Sequence, residues 1–156
     1  FIKRCGAMIY DALLAVAVYM VAGVIGFGLF FGLTSTGVIG MNGHEHVSDL
    51  LNQTPLYQGF YQLWLVICVA GFYAIIWSRG GQTLGMRAWR LKVQHPNGQN
   101  LSFITAIARV VWSFAGIGNL FILINPDKLA LQDKMTRSEV VVLSVEANQM
   151  RNWRGA

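Results

Sequence analysis

The stretch from Cys5 to Leu33, CGAMIYDALLAVAVYMVAGVIGFGLFFGL, decides the fold, because Asp11 is its one charged residue. A transmembrane helix needs about 20 apolar residues to cross a hydrocarbon core about 30 Å thick. As a helix this run would be about 42 Å long, so it can span the core with Asp11 at the membrane boundary. It lacks the small-residue cleavage signal that follows a short apolar core, which predicts a retained membrane helix and not a removed signal peptide.

The composition of the chain agrees with this prediction and argues against other classes of protein. Of the 156 residues, 54% are apolar and 12% are charged, whereas soluble domains carry about 25% charged residues. The formal net charge is +5, but the basic residues lie beside apolar runs and not along one polar face. Anionic lipid headgroups therefore explain the excess, and we expect no nucleic-acid partner. No nucleophile, base and acid stand in a catalytic pattern, so we expect neither an enzyme nor a cofactor.

A second apolar run, from Gly59 to Ser78, predicts a second spanning helix. Aromatic side chains flank both of its ends, as in the interfacial belts of membrane helices; they are Tyr57, Tyr61, Trp64, Tyr73 and Trp77. The following segment, 79–100, has four basic residues and no acidic one, whereas 34–58 has two acidic residues and no basic one. By the positive-inside rule, segment 79–100 and the N-terminus are cytoplasmic and segment 34–58 is outside.

The third apolar stretch, from Leu101 to Ile124, is interrupted by Arg109 and two glycines and ends at Asn125-Pro126. Arg90–Gln94 and Glu139–Leu143 are predicted to be strands, and an isolated short strand is unstable. If the two strands pair, both ends of the third stretch lie in the cytoplasm, and it forms a re-entrant hairpin or an interfacial helix followed by a short one. Otherwise it is a third crossing. We favour the first arrangement, because short broken helices are tolerated where protein covers them.

Three charged residues beside or within the apolar runs are candidates for a functional site. Arg4 and Asp11 are seven residues apart, so they share a helix face but lie about 10 Å apart along the axis. Each needs another partner, and we predict Arg109 as the partner of Asp11. An ionisable residue in a membrane helix indicates a functional site by default, and a structural tie between helices is an equal alternative for Asp11. Arg109 is expected to reach the phosphate headgroups.

Three other patterns are assigned structural roles. His44-Glu45-His46 with Asp49 offers metal-ligand residue types, but no helix or strand fixes their geometry, so we expect a solvated loop and no metal. Gly28 and Gly32 form a GxxxG step, which suits close helix packing within the chain or between two copies. The segment Gly81–Arg87 lacks the Gly-Lys-Ser/Thr ending of a phosphate-binding loop and is predicted to be a tight turn.

Three motifs occur in order along the chain. They are Lys3-Arg4 with Ala7 and Asp11, then Gly81-Gln-Thr-Leu-Gly-Met-Arg87, then Leu131-Gln-Asp-Lys134 followed by Val140-Val-Val142. This set resembles the RDD family of bacterial membrane proteins, which is named for one arginine and two aspartates. The resemblance covers residues 1–143 and assigns those positions to Arg4, Asp11 and Asp133. It implies transport of an unspecified ligand. Gln132 stands where family members often have histidine, which argues against a proton relay through that position.

Together these features predict an all-α integral membrane protein of the bacterial inner membrane. It would have two transmembrane helices, a broken third apolar segment and a small cytoplasmic cap with a two-stranded ribbon. Residues 1–143 would form this membrane domain, and residues 144–156 a basic C-terminal tail. The leading hypothesis is transport of an ion or small solute by a cytoplasmic-side cluster of Arg4, Asp11, Arg109 and Asp133. The alternative is a non-transporting scaffold or accessory subunit in which these charges are structural. The expected partners are a bilayer with anionic headgroups, the unknown solute and a second copy of the chain.

Overall fold

The computed structural model describes residues 2–125 and 129–149. By its internal contacts the chain divides into two compact units, one formed by residues 1–14 with 70–156 and one by residues 15–69. The elements, in chain order, are α1 Ile2–Ser35, α2 Val47–Gln53, α3 Pro55–Arg79, α4 Leu84–Ala88, β1 Leu91–Gln94, α5 Phe103–Ser113, the 3-10 helix η1 Phe114–Leu123, α6 Leu131–Met135 and β2 Glu139–Val142. We call the part from α4 to β2 the cap.

Two helices of the described chain, α1 and α3, are long and apolar enough to cross a membrane. In their most apolar 18-residue windows, 6% of the residues of α1 and 11% of those of α3 are buried. A core helix of a soluble protein would be mostly buried, whereas few of the residues in these two windows are buried. Two long apolar helices are therefore present where spanning helices were predicted, and each extends beyond the apolar run that predicted it.

In the unit formed by residues 15–69, aromatic side chains of α3 form hydrogen bonds to the backbone of α1. The hydroxyl of Tyr61 donates a hydrogen bond to the backbone carbonyl of Gly23, and Nε1 of Trp64 donates to that of Ala22, both at 3.0 Å. Such bonds give the polar end of each ring a partner on the neighbouring helix. The sequence interpretation placed these rings at the membrane interface and did not include this contact between helices.

The close approach of the two helices occurs at other glycines than predicted. A Cβ atom on Gly26 would lie 2.8 Å from the Trp64 ring, and one on Gly23 would lie 3.3 Å from the Tyr61 hydroxyl. Among the described residues, nothing lies within 4 Å of the Cβ position of Gly28 or Gly32. Packing within the chain, one of the two roles expected for the GxxxG step, is therefore not found among the described residues, because the large α3 rings lie over the preceding turn of α1. Packing between two copies stays a prediction.

The predicted ribbon is confirmed. Strands β1 and β2 pair antiparallel, with Leu91 opposite Val142 and Val93 opposite Val140. Leu91 and Val93 are both buried and share one face of β1, since side chains alternate along a strand. This face joins a small apolar core, whose other buried members are Ala7, Ala74, Met86, Leu101 and Ala106, with Trp77, Trp89 and Val140 packed against it.

The third apolar stretch is broken, as predicted, and its α-helical part is short. Helix α5 has 11 residues, which corresponds to a length of about 17 Å, too short for a continuous helical crossing. It passes into η1 between Ser113 and Phe114, just before the glycines that were expected at the break. Strand β1 precedes this stretch and β2 follows it, so the chain leaves the ribbon before the stretch and rejoins the same ribbon after it.

We predict that Gly26→Ala destabilises the protein by about 1–3 kcal/mol, the usual cost of overpacking a close contact. The new methyl group would force Trp64 away and break its hydrogen bond to Ala22. Gly28→Ala is the matched control, because its added methyl group meets open space. Denaturant unfolding in detergent micelles measures both variants. Equal stabilities for the two would contradict the packing described here.

Candidate functional site

Two arginines converge on one buried aspartate within the unit that contains the cap. Oδ1 of Asp133 accepts a hydrogen bond from Nη2 of Arg109 at 2.5 Å, and Oδ2 lies 2.6 Å from Nη1 of Arg4. The side chains of Asp133, Arg109 and Arg4 are 0%, 3% and 15% exposed, respectively. We call these three residues the Arg–Asp–Arg cluster. It joins three elements that are far apart in sequence: α1, α5 and α6.

Local structure places Asp133 and Arg109 for this contact. Asp133 lies in the first turn of α6, where Oδ2 also accepts from the backbone N–H of Ala130 at 3.3 Å. Arg109 lies on the same face of α5 as the fully buried Ala106, since residues three apart are neighbours on a helix. The Arg109 guanidinium also donates to Oγ of Ser138 and stacks 5.5 Å from the ring centroid of Trp77.

The electrostatics of the cluster are dominated by burial. Removal from water lowers the pKa of Arg109, while the charge and hydrogen bond of Asp133 raise it and so oppose that shift. A guanidinium is a very weak acid, so an arginine stays protonated in proteins even when burial lowers its pKa. The cluster therefore holds two positive groups and one negative group, and it carries a surplus positive charge.

Asp11 has a separate set of partners. Its Oδ2 accepts from the hydroxyl of Thr83 at 2.6 Å, and its Oδ1 accepts from the backbone N–H of Gly85 at 3.0 Å. The Tyr73 hydroxyl donates to its backbone carbonyl at 2.6 Å. The predicted pair of Asp11 with Arg109 is wrong, because α5 turns Arg109 toward Asp133 and the N-terminus of α4 supplies neutral donors to Asp11.

Arg109 also differs from its predicted environment. The sequence interpretation has its guanidinium at lipid headgroups, but the residue is 3% exposed and hydrogen-bonded inside the protein. The exposed face of α5 is instead apolar, with Ile104, Ile107 and Val111 on it. The prediction that Arg109 reaches the headgroups is therefore wrong, because its guanidinium faces the interior of the protein.

The tight turn predicted for Gly81–Arg87 is present only over Gly81–Thr83, because the rest of the segment forms the start of α4, and the segment also binds Asp11. Gly81 has φ of +67°, in the left-handed region that glycine adopts without strain. Thr83 begins α4 by accepting a hydrogen bond from the backbone N–H of Met86 at 3.1 Å. A Cβ atom on Gly85 would collide with the carbonyl of Ala7 and lie 2.7 Å from Oδ1 of Asp11. Sequence reasoning missed this role, although the Thr-Leu-Gly spacing is typical of a helix N-terminus that can meet an anion.

A second buried polar chain runs beside the cluster. Nε2 of Gln132 donates to Oδ1 of Asn119 at 2.7 Å, and Nδ2 of Asn119 lies 2.9 Å from Sδ of Met8. Thr136 bonds to the carbonyl of Gln132 at 2.6 Å and to Ser138 at 2.7 Å. Sequence reasoning did not select Asn119, Thr136 or Ser138, because no local pattern distinguishes them from surface polar residues.

Within residues 2–125 and 129–149, no group of three His, Cys, Asp or Glu side chains lies close enough together to hold a metal ion. In the loop 36–46, Nδ1 of His44 lies 3.1 Å from the carbonyl of Met41. The chemistry that the site offers is therefore charge pairing and hydrogen bonding.

The RDD family model matches residues 1–137, a range that contains Arg4, Asp11, Arg109 and Asp133. A search of curated proteins and a search of solved structures found no match to this chain.

We predict that Asp133→Asn lowers the free energy of unfolding by about 3–5 kcal/mol, because it leaves buried guanidinium charge without a counter-ion. Asp49→Asn, in the first turn of α2, is the control and should cost less than about 1 kcal/mol. Denaturant unfolding of the purified variants in micelles checks this. A cost for Asp133→Asn no larger than the control would show that the cluster does not stabilise the fold.

We predict that Thr83→Val destabilises the protein by about 2 kcal/mol, because it removes both the hydrogen bond to Asp11 and the cap of α4. Thr83→Ser keeps the hydroxyl and should retain most of the stability. The midpoint of thermal unfolding, followed by circular dichroism, compares the two. If valine and serine were equivalent, the hydroxyl would have no structural role.

Proposed function

Because the chain belongs to the RDD family of membrane proteins, we propose that it is a small multi-pass protein in which buried charges hold the cap against α1. Its role is that of a membrane scaffold or accessory subunit. The observation that carries this proposal is the state of Asp133: a carboxylate with no exposed surface, each oxygen of which meets a guanidinium from a different helix. Such a contact fixes three elements at once.

The geometry of the cluster favours this role over ion movement through it. A transported cation would have to replace one of two arginines that already pair with Asp133 at 2.5 and 2.6 Å. Loss of one partner from a buried ion pair costs about 3–5 kcal/mol. The part of α1 after Asp11 has no charged residue, and so supplies no charged group for a path to the opposite face.

The placement in the membrane is part of the same proposal. The positive-inside rule puts the basic segment 79–100 and the start of α1 on the cytoplasmic side of the inner membrane. The exposed apolar residues of α5, of η1 and of the residue that follows it then enter the bilayer from that side and return, as a re-entrant segment; they are Ile104, Val111, Ile117, Leu120 and Ile124. The paired strands support this, because they bring both ends of the segment to one place.

Transport is the second candidate, and one observation favours it. Asp11 lies on a helix long enough to span, and its carboxylate contacts the neutral donors Thr83 and Gly85. A carboxylate bound by neutral groups can exchange a proton or a small cation without displacing another charge. In this case Asp11, and not the Arg–Asp–Arg cluster, would be the titrating group.

Replacement of the whole cluster by apolar residues tests the structural role. We predict that Arg4→Met with Asp133→Leu and Arg109→Met regains most of the stability that Asp133→Asn loses, because apolar replacement of a complete buried ion cluster is neutral or stabilising. Hydrogen exchange of the β2 amides measures whether the cap stays attached. Protection in the triple variant close to that of the wild type is expected, and its loss would mean that apolar side chains cannot replace these charges in holding the cap.

Ion flux into proteoliposomes separates the two functions. We expect the wild type, under imposed pH and sodium gradients, to give no more flux than protein-free vesicles. The Asp11→Asn variant, checked for insertion and stability, serves as the comparison. Flux in the wild type that disappears in Asp11→Asn would overturn the scaffold proposal and identify Asp11 as a transport site.

A further inference from the structure

A groove lies between the start of α1 and the ribbon, in the unit that contains the cap. Its volume is about 500 Å³, within the range of about 300–1,000 Å³ that is typical of small-molecule sites. Its lining residues come from three elements: Ile2, Lys3 and Arg4 of α1, Leu91 of β1, and Val140 and Val142 of β2. The groove is open on one side, so a molecule can enter it without a change in the fold.

One part of the groove is an apolar wall. Val142 faces Leu91 across the ribbon, and Val140 is two residues away on the same face of β2. Both Ile2 and Val142 line the groove, and their side chains are 79% and 55% exposed. Exposed apolar side chains that converge in a concave surface favour an apolar occupant.

The other part of the groove is positively charged. Lys3 is exposed, and Arg4 is the most accessible member of the Arg–Asp–Arg cluster. Asp133 can balance one of the two guanidinium charges, so the surplus positive charge of the cluster adds to that of Lys3. An anionic group at this end would supply the missing counter-charge.

We propose that this groove binds one anionic phospholipid. The headgroup phosphate lies between Lys3 and Arg4, and an acyl chain lies along Ile2, Val140 and Val142. The groove has a positively charged end and an apolar wall, so a ligand that fills it needs a negative group joined to an apolar chain. A phospholipid has both. A lipid with a net negative charge is preferred over a zwitterionic lipid, in which a cationic headgroup cancels the phosphate charge. The site is distinct from the scaffold and transport roles and is compatible with either.

Native mass spectrometry of the full chain tests the site. The protein, purified in neutral detergent, is mixed with equal amounts of phosphatidylglycerol and phosphatidylcholine of the same acyl composition. We expect one bound phosphatidylglycerol to be retained in preference to phosphatidylcholine. Lys3→Gln should lower this preference about fivefold, the effect of one cation beside an anionic lipid. Lys134→Gln removes the same charge from an exposed position outside the groove and should leave the preference unchanged.

The apolar wall is tested separately. Val142→Trp fills the groove and should abolish retention of both lipids, whereas Val145→Trp, at a residue that is 66% exposed and outside the lining, should not. Circular dichroism confirms that each variant is folded. Equal retention of the two lipids by the wild type, or equal effects of Lys3→Gln and Lys134→Gln, would overturn the proposal. Unchanged retention in Val142→Trp would also overturn it, since an anion bound by charge alone does not need the wall.

Discussion

The packing of the cap depends on one buried carboxylate with two positive partners. Asp133 is inaccessible to solvent, and its neighbours Arg4 and Arg109 come from helices that are far apart in sequence, α1 and α5. A buried charge is costly without compensation, so α1, α5 and α6 can be placed only where the two guanidinium groups reach it. The apolar core of this unit is small and made largely of alanine, valine and leucine. Specific charge pairing therefore has a large share in fixing the arrangement.

The two aspartates of the site have different environments. Asp133 is held by charged groups from distant helices, whereas Asp11 is held by a hydroxyl and a backbone N–H at the N-terminus of α4. Both contacts attach the first turns of α1 to the cap, about two helical turns apart along its axis. Two attachment points prevent rotation of α1 about a single ion pair. The surplus positive charge stays on the Arg4 side, next to the groove between α1 and the ribbon.

Some of the site could be predicted from sequence and some could not. An isolated charge in an apolar run identified Arg4, Asp11 and Arg109, because each needs compensation in an apolar environment. Their pairing could not be predicted, since α5 presents Arg109 to the side of α6 and no sequence pattern records that orientation. The roles of Thr83 and Gly85 were missed for the same reason. Their turn was predicted, but the carboxylate it binds is more than 70 residues away.

The sequence alone determined the long apolar helices, the break in the third stretch and the pairing of two short strands. These features follow from local composition: the length of an apolar run, interruption by glycine and charge, and the instability of an unpaired strand. Only the tertiary structure decided which charges meet, which glycines lie under aromatic rings, and which face of α5 is buried. Those outcomes depend on how side chains from distant segments pack together, and the local sequence around each residue does not specify that packing.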